Sequence, residues 1–454
     1  MTDLWTLSAT DLARSYRAGE TSPVAILEAT LARLEDVNGT LNAVVTLDRD
    51  GAAAQAKASA ARWKAGTPLG PLDGVPVTVK DNIPVAGLRS TWGSRLYGEW
   101  LPERDETPVL RLREAGAVIL GKTNVPEMTL QGYTSNPLFG TTRNPWDERL
   151  TPGGSSGGAV AAVAAGVGPL ALATDGGGSI RRPASHGGLV GLKPTVHRVP
   201  RRDGFPPILL DFEVIGVIAR HAADLAIGMA AISADDPGSV RQDGFGPIGT
   251  SPVAPKRILH VPTFAGAPVD AEIAGSVAEA AANLRALGHT VEDGSGFALA
   301  DALNAAWPAI AQSGLAWLVR DPEKRALLGP DIRAMAESGL ALPATTYFDA
   351  LHAALTLRQD LAAFYQGYDM ILTPTAAALP WPAEVTHPQE IAGVPVGPRG
   401  SAIFTGFVNA AGLPAISVPC RPSAAGLPIG FQLVAPWSRG CRWRIRGTSR
   451  ACSG

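Results

Sequence analysis

The chain is poor in the residues that mark several large classes of protein. It has 3 cysteines in 454 residues, at positions 420, 441 and 452, and no C-x-x-C pair. An odd and sparse set of this kind argues against both a disulfide framework and a zinc site. We therefore predict a cytoplasmic protein with reduced thiols and no metal ion.

Net charge and long apolar runs are also scarce. The 39 Lys and Arg residues nearly balance 41 Asp and Glu, a net charge of −2, which gives no reason to expect nucleic acid or an anionic membrane as a partner. The longest stretch of small apolar residues, Ala159 to Ala173, is interrupted by glycine and proline and is too short to cross a bilayer. The first residues, Met1 to Trp5, lack the basic and apolar regions of a signal peptide.

What the chain does have is apolar residues, which make up 46% of it and suit a large buried core. Ser22 and Pro23 predict the start of a helix, and Gly39 predicts its end. Further along, Gly74 to Lys80 is typical of a buried strand, and Ala159 to Ala165 is typical of a helix of small residues. This alternation of strands and helices predicts an α/β sandwich.

The domain organisation is predicted to be simple. No internal repeat and no long Gly/Ser linker divides the chain, so residues 1–436 are expected to form a single domain. Within it, residues from about 224 to 368 are richer in helical pattern, and we expect them to shape the substrate pocket. The segment 437–454 holds five arginines and no acidic residue, without amphipathic period. An unstructured end explains it better than a nucleic-acid-binding tail.

The segment Gly116 to Thr123 satisfies the phosphate-loop pattern G-x-x-x-x-G-K-[S/T], which would imply nucleotide binding. The four residues between its glycines are apolar and include the β-branched Val118 and Ile119, as in a strand rather than a flexible loop. Pro126 also lies too far along to open a helix that starts at Lys122. Nucleotide binding therefore remains only a remote alternative.

Two glycine- and serine-rich segments carry the most informative chemistry. The first is Thr151 to Gly158, and the second contains Gly176, Gly177 and Gly178 directly before Ser179. Glycines allow successive backbone amides to converge on a concavity, and such amides stabilise the oxyanion of a tetrahedral intermediate. Ser179, at the end of these glycines, is the candidate nucleophile.

A serine hydroxyl needs a base to become a nucleophile. His186 lies nearest to Ser179 but has no evident acidic partner, and the other six histidines occupy ordinary surroundings. Lys80 is the alternative base, because it ends an apolar strand and burial there would lower its pKa. A pKa lowered from about 10.4 to about 7 would leave half of the side chain neutral at pH 7 and able to accept a proton.

In these segments the chain resembles the amidase signature family, and the resemblance extends from about Leu7 to Pro436. Seven motifs follow one another in the family's order, starting at Gly74, Gly121, Phe139, Pro152, Gly177, Gly191 and Gly412. The resemblance implies an α/β amidase signature fold with a mixed sheet of about eleven strands sandwiched between α-helices. It implies no cofactor.

The same resemblance assigns the catalytic roles. It makes Ser179 the nucleophile, Ser155 a bridging serine and Lys80 the base. Ser155 would be carried on a cis peptide after Gly154. Ser155 would later return a proton to the leaving amine, as an amine leaving group requires. The amides of the three glycines from position 176 to 178 would form the oxyanion hole.

The chain departs from the family pattern in two places. Gly176 stands where the family usually has Thr or Ile, which loosens one wall of the oxyanion loop but keeps the amide. From Trp437 onward the chain does not resemble the further loop and C-terminal helix of family members. We interpret that end as a shifted reading frame or a truncated gene.

The resemblance leaves the substrate open among aliphatic and aryl amides, carbamates (urethanes), and the glutamine used by the glutaminase subunit of a transfer-RNA amidotransferase. By family position Met128, Tyr133 and Thr134 line the site. The apolar loop Phe205 to Leu210, with Phe205 as a substrate contact, favours an apolar substituent over a zwitterionic amino acid, although core packing explains the loop equally well.

We therefore predict that the chain hydrolyses small apolar amides, anilides or carbamates through an acyl-enzyme on Ser179. It would act as a monomer or homodimer. The alternative is a glutaminase-type subunit that needs a partner subunit.

Overall fold

The computed structural model describes residues 3–233 and 253–437. Within these ranges the strands are β1 (Val44–Leu47), β2 (Pro76–Lys80), β3 (Val118–Thr123), β4 (Ser135–Asn136), β5 (Gly140–Thr141), β6 (Leu170–Asp175), β7 (Val190–Lys193), β8 (Val214–Ala219), β9 (Arg257–His260), β10 (Thr290–Asp293), β11 (Met370–Pro374), β12 (Glu390–Ile391), β13 (Val394–Pro395), β14 (Ala415–Cys420) and β15 (Ile429–Val434). The α-helices are α1 (Ala9–Ala18), α2 (Pro23–Leu41), α3 (Arg49–Ala65), α4 (Thr107–Glu114), α5 (Gly157–Ala164), α6 (Arg181–Gly187), α7 (Ala222–Ile232), α8 (Ala271–Ala286), α9 (Asp301–Leu318), α10 (Pro322–Ala326), α11 (Pro330–Ala341), α12 (Ala344–Phe364) and α13 (Gly406–Ala411). The atypical segment 437–454 lies outside the described residues except for Trp437.

Eleven of these strands form one mixed sheet in the order β1-β3-β2-β6-β8-β7-β14-β15-β11-β9-β10. β2 runs parallel to β3 and β6, and β9 runs parallel to β10 and β11, whereas the other neighbours are antiparallel. The predicted mixed sheet of about eleven strands is therefore confirmed. Because β2 and β6 are parallel neighbours, Lys80 and the glycine segment after Asp175 lie at the same edge of the sheet.

Successive residues of the central strands face opposite helical layers, and both sets are apolar. On β6, Leu170 and Leu172 pack with residues of α1, α4 and α7. Ala171 and Ala173 face the other way and pack against the small residues of α5. Such strands are buried on both faces, as their continuous apolar sequence predicts. A charged side chain at the end of one of them, such as Lys80, is exceptional and needs polar partners.

The helix predicted from Ser22 and Pro23 is α2, and Ser22 Oγ accepts a hydrogen bond from the Ala25 amide as its N-cap. The prediction that Gly39 ends this helix is wrong. The helix continues to Leu41 and ends where Asn42 adopts a φ of 49°. Asn tolerates this left-handed conformation, and the Asn42 side chain is held by a hydrogen bond to the Phe139 carbonyl at 2.7 Å.

The segment 224–368 contains the helices α9 to α12, as its helical pattern predicts, but it also contributes β9 and β10 to one edge of the main sheet. Residues 234–252 of this segment lie outside the described residues. Helices α9, α11 and α12 enclose the largest apolar cluster, which also includes Met128, Phe205 and Leu209 from the opposite half of the chain. The helical segment and the apolar loop after residue 204 therefore share one core.

The segment that resembles a phosphate loop is a strand, because residues 118–123 form β3 between β1 and β2. Lys122 is completely buried, donates to Ser90 Oγ at 2.8 Å and to the Ile83 carbonyl, and lies 3.9 Å from Asp81. Its ammonium is committed to these protein partners, so the nucleotide-binding alternative is wrong. Within the described ranges, no helix combines the length and apolarity that a membrane span requires.

Candidate active site

Lys80 ends β2, and its side chain has no exposed surface. Its Nζ atom lies 2.8 Å from Ser155 Oγ, 2.8 Å from Thr174 Oγ1 and 3.2 Å from the Thr174 carbonyl oxygen. Burial lowers the pKa of Lys80 to about 7, although the charges of Glu213 and Asp175 oppose this change. A substantial fraction of the side chain is therefore the neutral amine near pH 7.

Ser155 lies in the turn that leads into α5, and the peptide bond between Gly154 and Ser155 is cis, as the resemblance implies. Gly153 has a φ of 83°, a conformation that favours glycine. A β-carbon on Gly154 would lie 2.5 Å from the Tyr133 carbonyl oxygen. These glycines allow the turn to pass close to the neighbouring backbone and to aim Ser155 at Lys80.

Ser179 follows the glycine segment between β6 and α6, and 7% of its surface is exposed. Its carbonyl accepts a hydrogen bond from the Ser156 amide at 3.2 Å, which joins the two serine-bearing segments. Ser179 Oγ makes no hydrogen bond to any residue in the described ranges. Its hydroxyl is thus not committed to a structural partner.

Asp175 holds the glycine segment in place, and the sequence pattern does not single it out. Its carboxylate accepts hydrogen bonds from the amides of Gly178 at 2.7 Å and Ile180 at 3.1 Å. Arg181 pairs with Asp175 at 2.8 Å, and both side chains are completely buried. Burial by itself would raise the pKa of Asp175, but the charge of Arg181 and these hydrogen bonds hold that pKa well below its usual value. A signal was present, since an acid precedes the glycines and an arginine follows Ser179 by two positions.

The oxyanion loop differs from the prediction in one respect. The Gly178 amide is already donated to Asp175, so the prediction that it stabilises an oxyanion is wrong. The amides of Gly176, Gly177 and Ser179 make no hydrogen bond within the part of the chain that the structure describes. These three donors remain for an oxyanion.

Two apolar side chains stand beside this loop. A β-carbon on Gly176 would lie 2.5 Å from Leu209 Cδ1, and one on Gly177 would lie 2.9 Å from Trp307 Cζ2. Leu209 belongs to the apolar loop, and Trp307 belongs to α9. The space that a Thr or Ile would occupy at position 176 is therefore filled by Leu209, so the wall of the loop is not loose.

The predicted substrate-binding residues differ in their surroundings. The Thr134 side chain is completely buried and donates to the Gly153 carbonyl at 2.8 Å, so its hydroxyl supports the turn before Ser155 instead of facing a substrate. Met128 has no exposed surface, and Tyr133 is half-buried. Phe205 is buried in an aromatic cluster, 4.8 Å from the ring of Trp92, with Tyr97 and Trp100 as further members. Substrate contact by Met128, Tyr133 and Phe205 stays a prediction.

His186 does not offer a better base than Lys80. Its Nε2 atom lies 3.2 Å from the Ala378 carbonyl oxygen, and burial lowers its pKa to about 4. Among residues 3–233 and 253–437, no group of three or more His, Cys, Asp and Glu side chains could hold a metal ion. The chemistry that the described residues can support centres on the two serines and the lysine.

Comparisons with known proteins agree with this arrangement. Residues 25–440 match the Amidase family. A glutamyl-tRNA(Gln) amidotransferase subunit of Moorella thermoacetica is 38% identical over 461 residues, which cover 95% of this chain and 93% of that protein. The crystal structure of a bacterial aryl acylamidase of the amidase signature family matches with a TM-score of 0.85 at 27% identity, covering 95% of this chain and 93% of that one. The crystal structure of a glutamyl-tRNA(Gln) amidotransferase subunit from Thermotoga maritima matches with a TM-score of 0.76 at 27% identity, covering 96% and 92%. The chain is a member of the amidase signature family, an amidohydrolase that acts on C–N amide bonds.

Proposed function

We propose that the chain hydrolyses small amides by itself, with Ser179 as nucleophile, Ser155 as bridging residue and Lys80 as base. The observation that carries this proposal is the 2.8 Å contact between Lys80 Nζ and Ser155 Oγ in a completely buried setting. Burial lowers the pKa of Lys80 to about 7, so the neutral amine needed to accept a proton is populated near neutral pH.

The proposed reaction proceeds in two halves. Ser179 Oγ attacks the amide carbonyl while its proton passes to Ser155, whose own proton passes to Lys80. The negative oxygen of the tetrahedral intermediate accepts hydrogen bonds from the free amides of the oxyanion loop. Ser155 then donates a proton to the nitrogen as the C–N bond breaks and regains one from Lys80, leaving an acyl ester on Ser179. Water attacks this ester by the same relay and releases the acid.

The substrate is proposed to have an apolar part next to the reacting carbonyl. Leu209 and Trp307 flank the oxyanion loop, and Met128 and Phe205 belong to the same apolar cluster. Each methylene buried against such a wall contributes about 0.8 kcal/mol. Alkyl amides, anilides and aryl carbamates all present a carbonyl to Ser179 and a nitrogen leaving group to Ser155, so all three classes suit the proposed site.

A second candidate function is that of a glutaminase component in a transfer-RNA amidotransferase, supported by the 38% identity to the Moorella thermoacetica amidotransferase protein. Free glutamine would bring an ammonium that needs an acidic partner. Asp175 and Glu213, the acids whose charges act on Lys80, are paired with Arg181 and Arg201. Neither is free to bind an ammonium, which favours the first candidate.

One panel of substrates with the purified chain separates the two candidates. We expect turnover of an anilide, an alkyl amide or an aryl carbamate without any other protein, and loss of that turnover in Ser179→Ala. A fluorophosphonate probe should label the parent protein but not this variant. Preference for glutamine, or activity only after a partner subunit is added, would establish the glutaminase function instead. Retention of more than about 1% of activity in Ser179→Ala would contradict the assignment of the nucleophile.

A further inference from the structure

Arg399, four residues after β13, has a charged side chain without a protein acceptor. Its Nη2 atom is buried yet has no hydrogen-bond partner in the described ranges. The guanidinium lies over the ring of Trp307, 5.1 Å from the ring centroid. A buried charged donor without an acceptor is costly, and such groups in native proteins call for an explanation. A ligand that brings the missing acceptor would provide one.

The position of Arg399 connects it to the oxyanion loop. The ring of Trp307 has its Cζ2 edge next to Gly177, where a β-carbon would lie 2.9 Å away. Its Cε3 edge lies next to Gly406, where a β-carbon would be 3.4 Å from Cε3 and 3.2 Å from Arg399 Nη2. A single indole ring therefore separates Arg399 from the backbone that receives the oxyanion.

The charges around this ring are unbalanced toward the positive. Arg182, on the other side of the loop, donates to the carbonyls of Gly177 and Gly154 and to Thr405 Oγ1, and it has no carboxylate partner in the described ranges. Burial lowers the pKa of Arg399 to about 9, with the charge of Arg182 adding to the effect, so Arg399 remains a cation at neutral pH. A guanidinium offers two parallel N–H donors that match a planar carboxylate.

We propose that Arg399 binds a carboxylate of the substrate, so that the preferred substrates are amides with an apolar segment between the reacting carbonyl and a carboxylate group. The proposal rests on the amide hydrolysis proposed above and names its substrate class. The Trp307 ring contacts the apolar segment, and the Arg399 guanidinium receives the charged end. The adjacent scissile carbonyl lies under the amides of Gly177 and Ser179.

The test uses two substrates of equal length, the monoanilide of a five-carbon dicarboxylic acid and the anilide of the matching unsubstituted acid. We expect the parent enzyme to hydrolyse the carboxylate-bearing anilide with the higher kcat/KM. Arg399→Gln should lower this kcat/KM at least about 30-fold, mainly through KM, because a buried charge pair loses one partner. Its kcat/KM for the neutral anilide should stay within a factor of about three. Arg149→Gln, which removes an exposed arginine, is the charge-matched control and should change neither value.

Binding to Ser179→Ala, measured by calorimetry with the same two anilides, separates this inference from the proposed reaction. This variant should bind the carboxylate-bearing anilide more tightly than the neutral one, and Ser179→Ala/Arg399→Gln should lose that difference. This result would support the inference even if the parent hydrolysed neither anilide, an outcome that would count against the proposed reaction alone. Equal losses for both anilides in Arg399→Gln, or equal binding of both to Ser179→Ala, would overturn the role of Arg399.

Discussion

Lys80 Nζ lies 2.8 Å from Thr174 Oγ1 and 3.2 Å from the carbonyl oxygen of the same residue, so Thr174 offers two acceptors to one amine. A neutral amine has two N–H donors and one lone pair. If both donors point at Thr174, the lone pair is left for Ser155 Oγ, 2.8 Å away. Thr174 therefore sets the direction in which the neutral form of Lys80 accepts a proton.

Replacement of Thr174 tests this orientation. Thr174→Val keeps the shape but removes the hydroxyl that contacts Lys80 and Asn82. We expect kcat to fall about tenfold, the equivalent of one hydrogen bond. Thr174→Ser keeps the hydroxyl and should stay close to the parent. Steady-state kinetics of the three proteins check the prediction, and equal activity of the Val and Ser variants would contradict it.

The pH dependence of hydrolysis follows from the buried lysine. Burial lowers the pKa of Lys80 to about 7, and only the neutral amine accepts a proton. We expect kcat/KM to rise as the pH passes through about 7 and to level off above it. A pH profile of kcat/KM measures this directly, with Lys80→Met as the inactive control. Maximal activity near pH 5 would point to a carboxylate or histidine base instead.

The contact between Gly176 and Leu209 predicts a compensating pair of mutations. A β-carbon at position 176 would lie 2.5 Å from Leu209 Cδ1, so Gly176→Thr should overpack the wall and destabilise the fold by about 1–3 kcal/mol. Leu209→Ala opens the space that the new side chain needs. In a double-mutant cycle of urea unfolding, the two changes together should cost less than the sum of the single changes. Simple additivity would show that the two positions do not compete for space.

The buried pair of Asp175 and Arg181 should matter for both stability and turnover. Asp175→Asn leaves Arg181 buried without a countercharge, which typically costs about 3–5 kcal/mol. It also weakens the hydrogen bonds that hold the oxyanion loop, so kcat should fall even under conditions where the variant is folded. Asp147→Asn, which breaks the exposed pair with Arg149, is the matched control and should change little. Normal kcat in folded Asp175→Asn would separate the pair from catalysis.

Much of the sheet and of the triad geometry could be predicted, for a physical reason. Lys80 ends a strand of uninterrupted apolar residues, and the glycine segments mark positions where only a side-chain-free backbone fits. Both signals are local in sequence, and the resemblance to a family joined them. The end of α2 was missed because Gly39 and Asn42 are both plausible helix ends, and tertiary contacts of the Asn42 side chain decide between them.

The rest depended on contacts between distant parts of the chain. Gly178 was assigned to the oxyanion hole because its neighbours are glycines, but which amides face a ligand is decided by the Asp175 carboxylate. Thr134 was placed in the substrate site by family position, whereas its hydroxyl finds the Gly153 carbonyl nineteen residues away. Arg399 carries no local pattern at all, and its importance emerges only from the missing acceptor beside Trp307.

The complete burial of Lys80 also couples the folding equilibrium to protons. In an unfolded chain this amine has its ordinary pKa of 10.5, whereas in the native state the pKa is about 7. Between these two values the unfolded chain binds a proton that the native state does not, so folding releases it. The contribution of Lys80 to the free energy of unfolding is therefore least favourable below about pH 7 and improves as the pH rises toward 10.5. A more alkaline solution thus favours, through one nitrogen atom, both the folded chain and the protonation state that the proposed reaction requires.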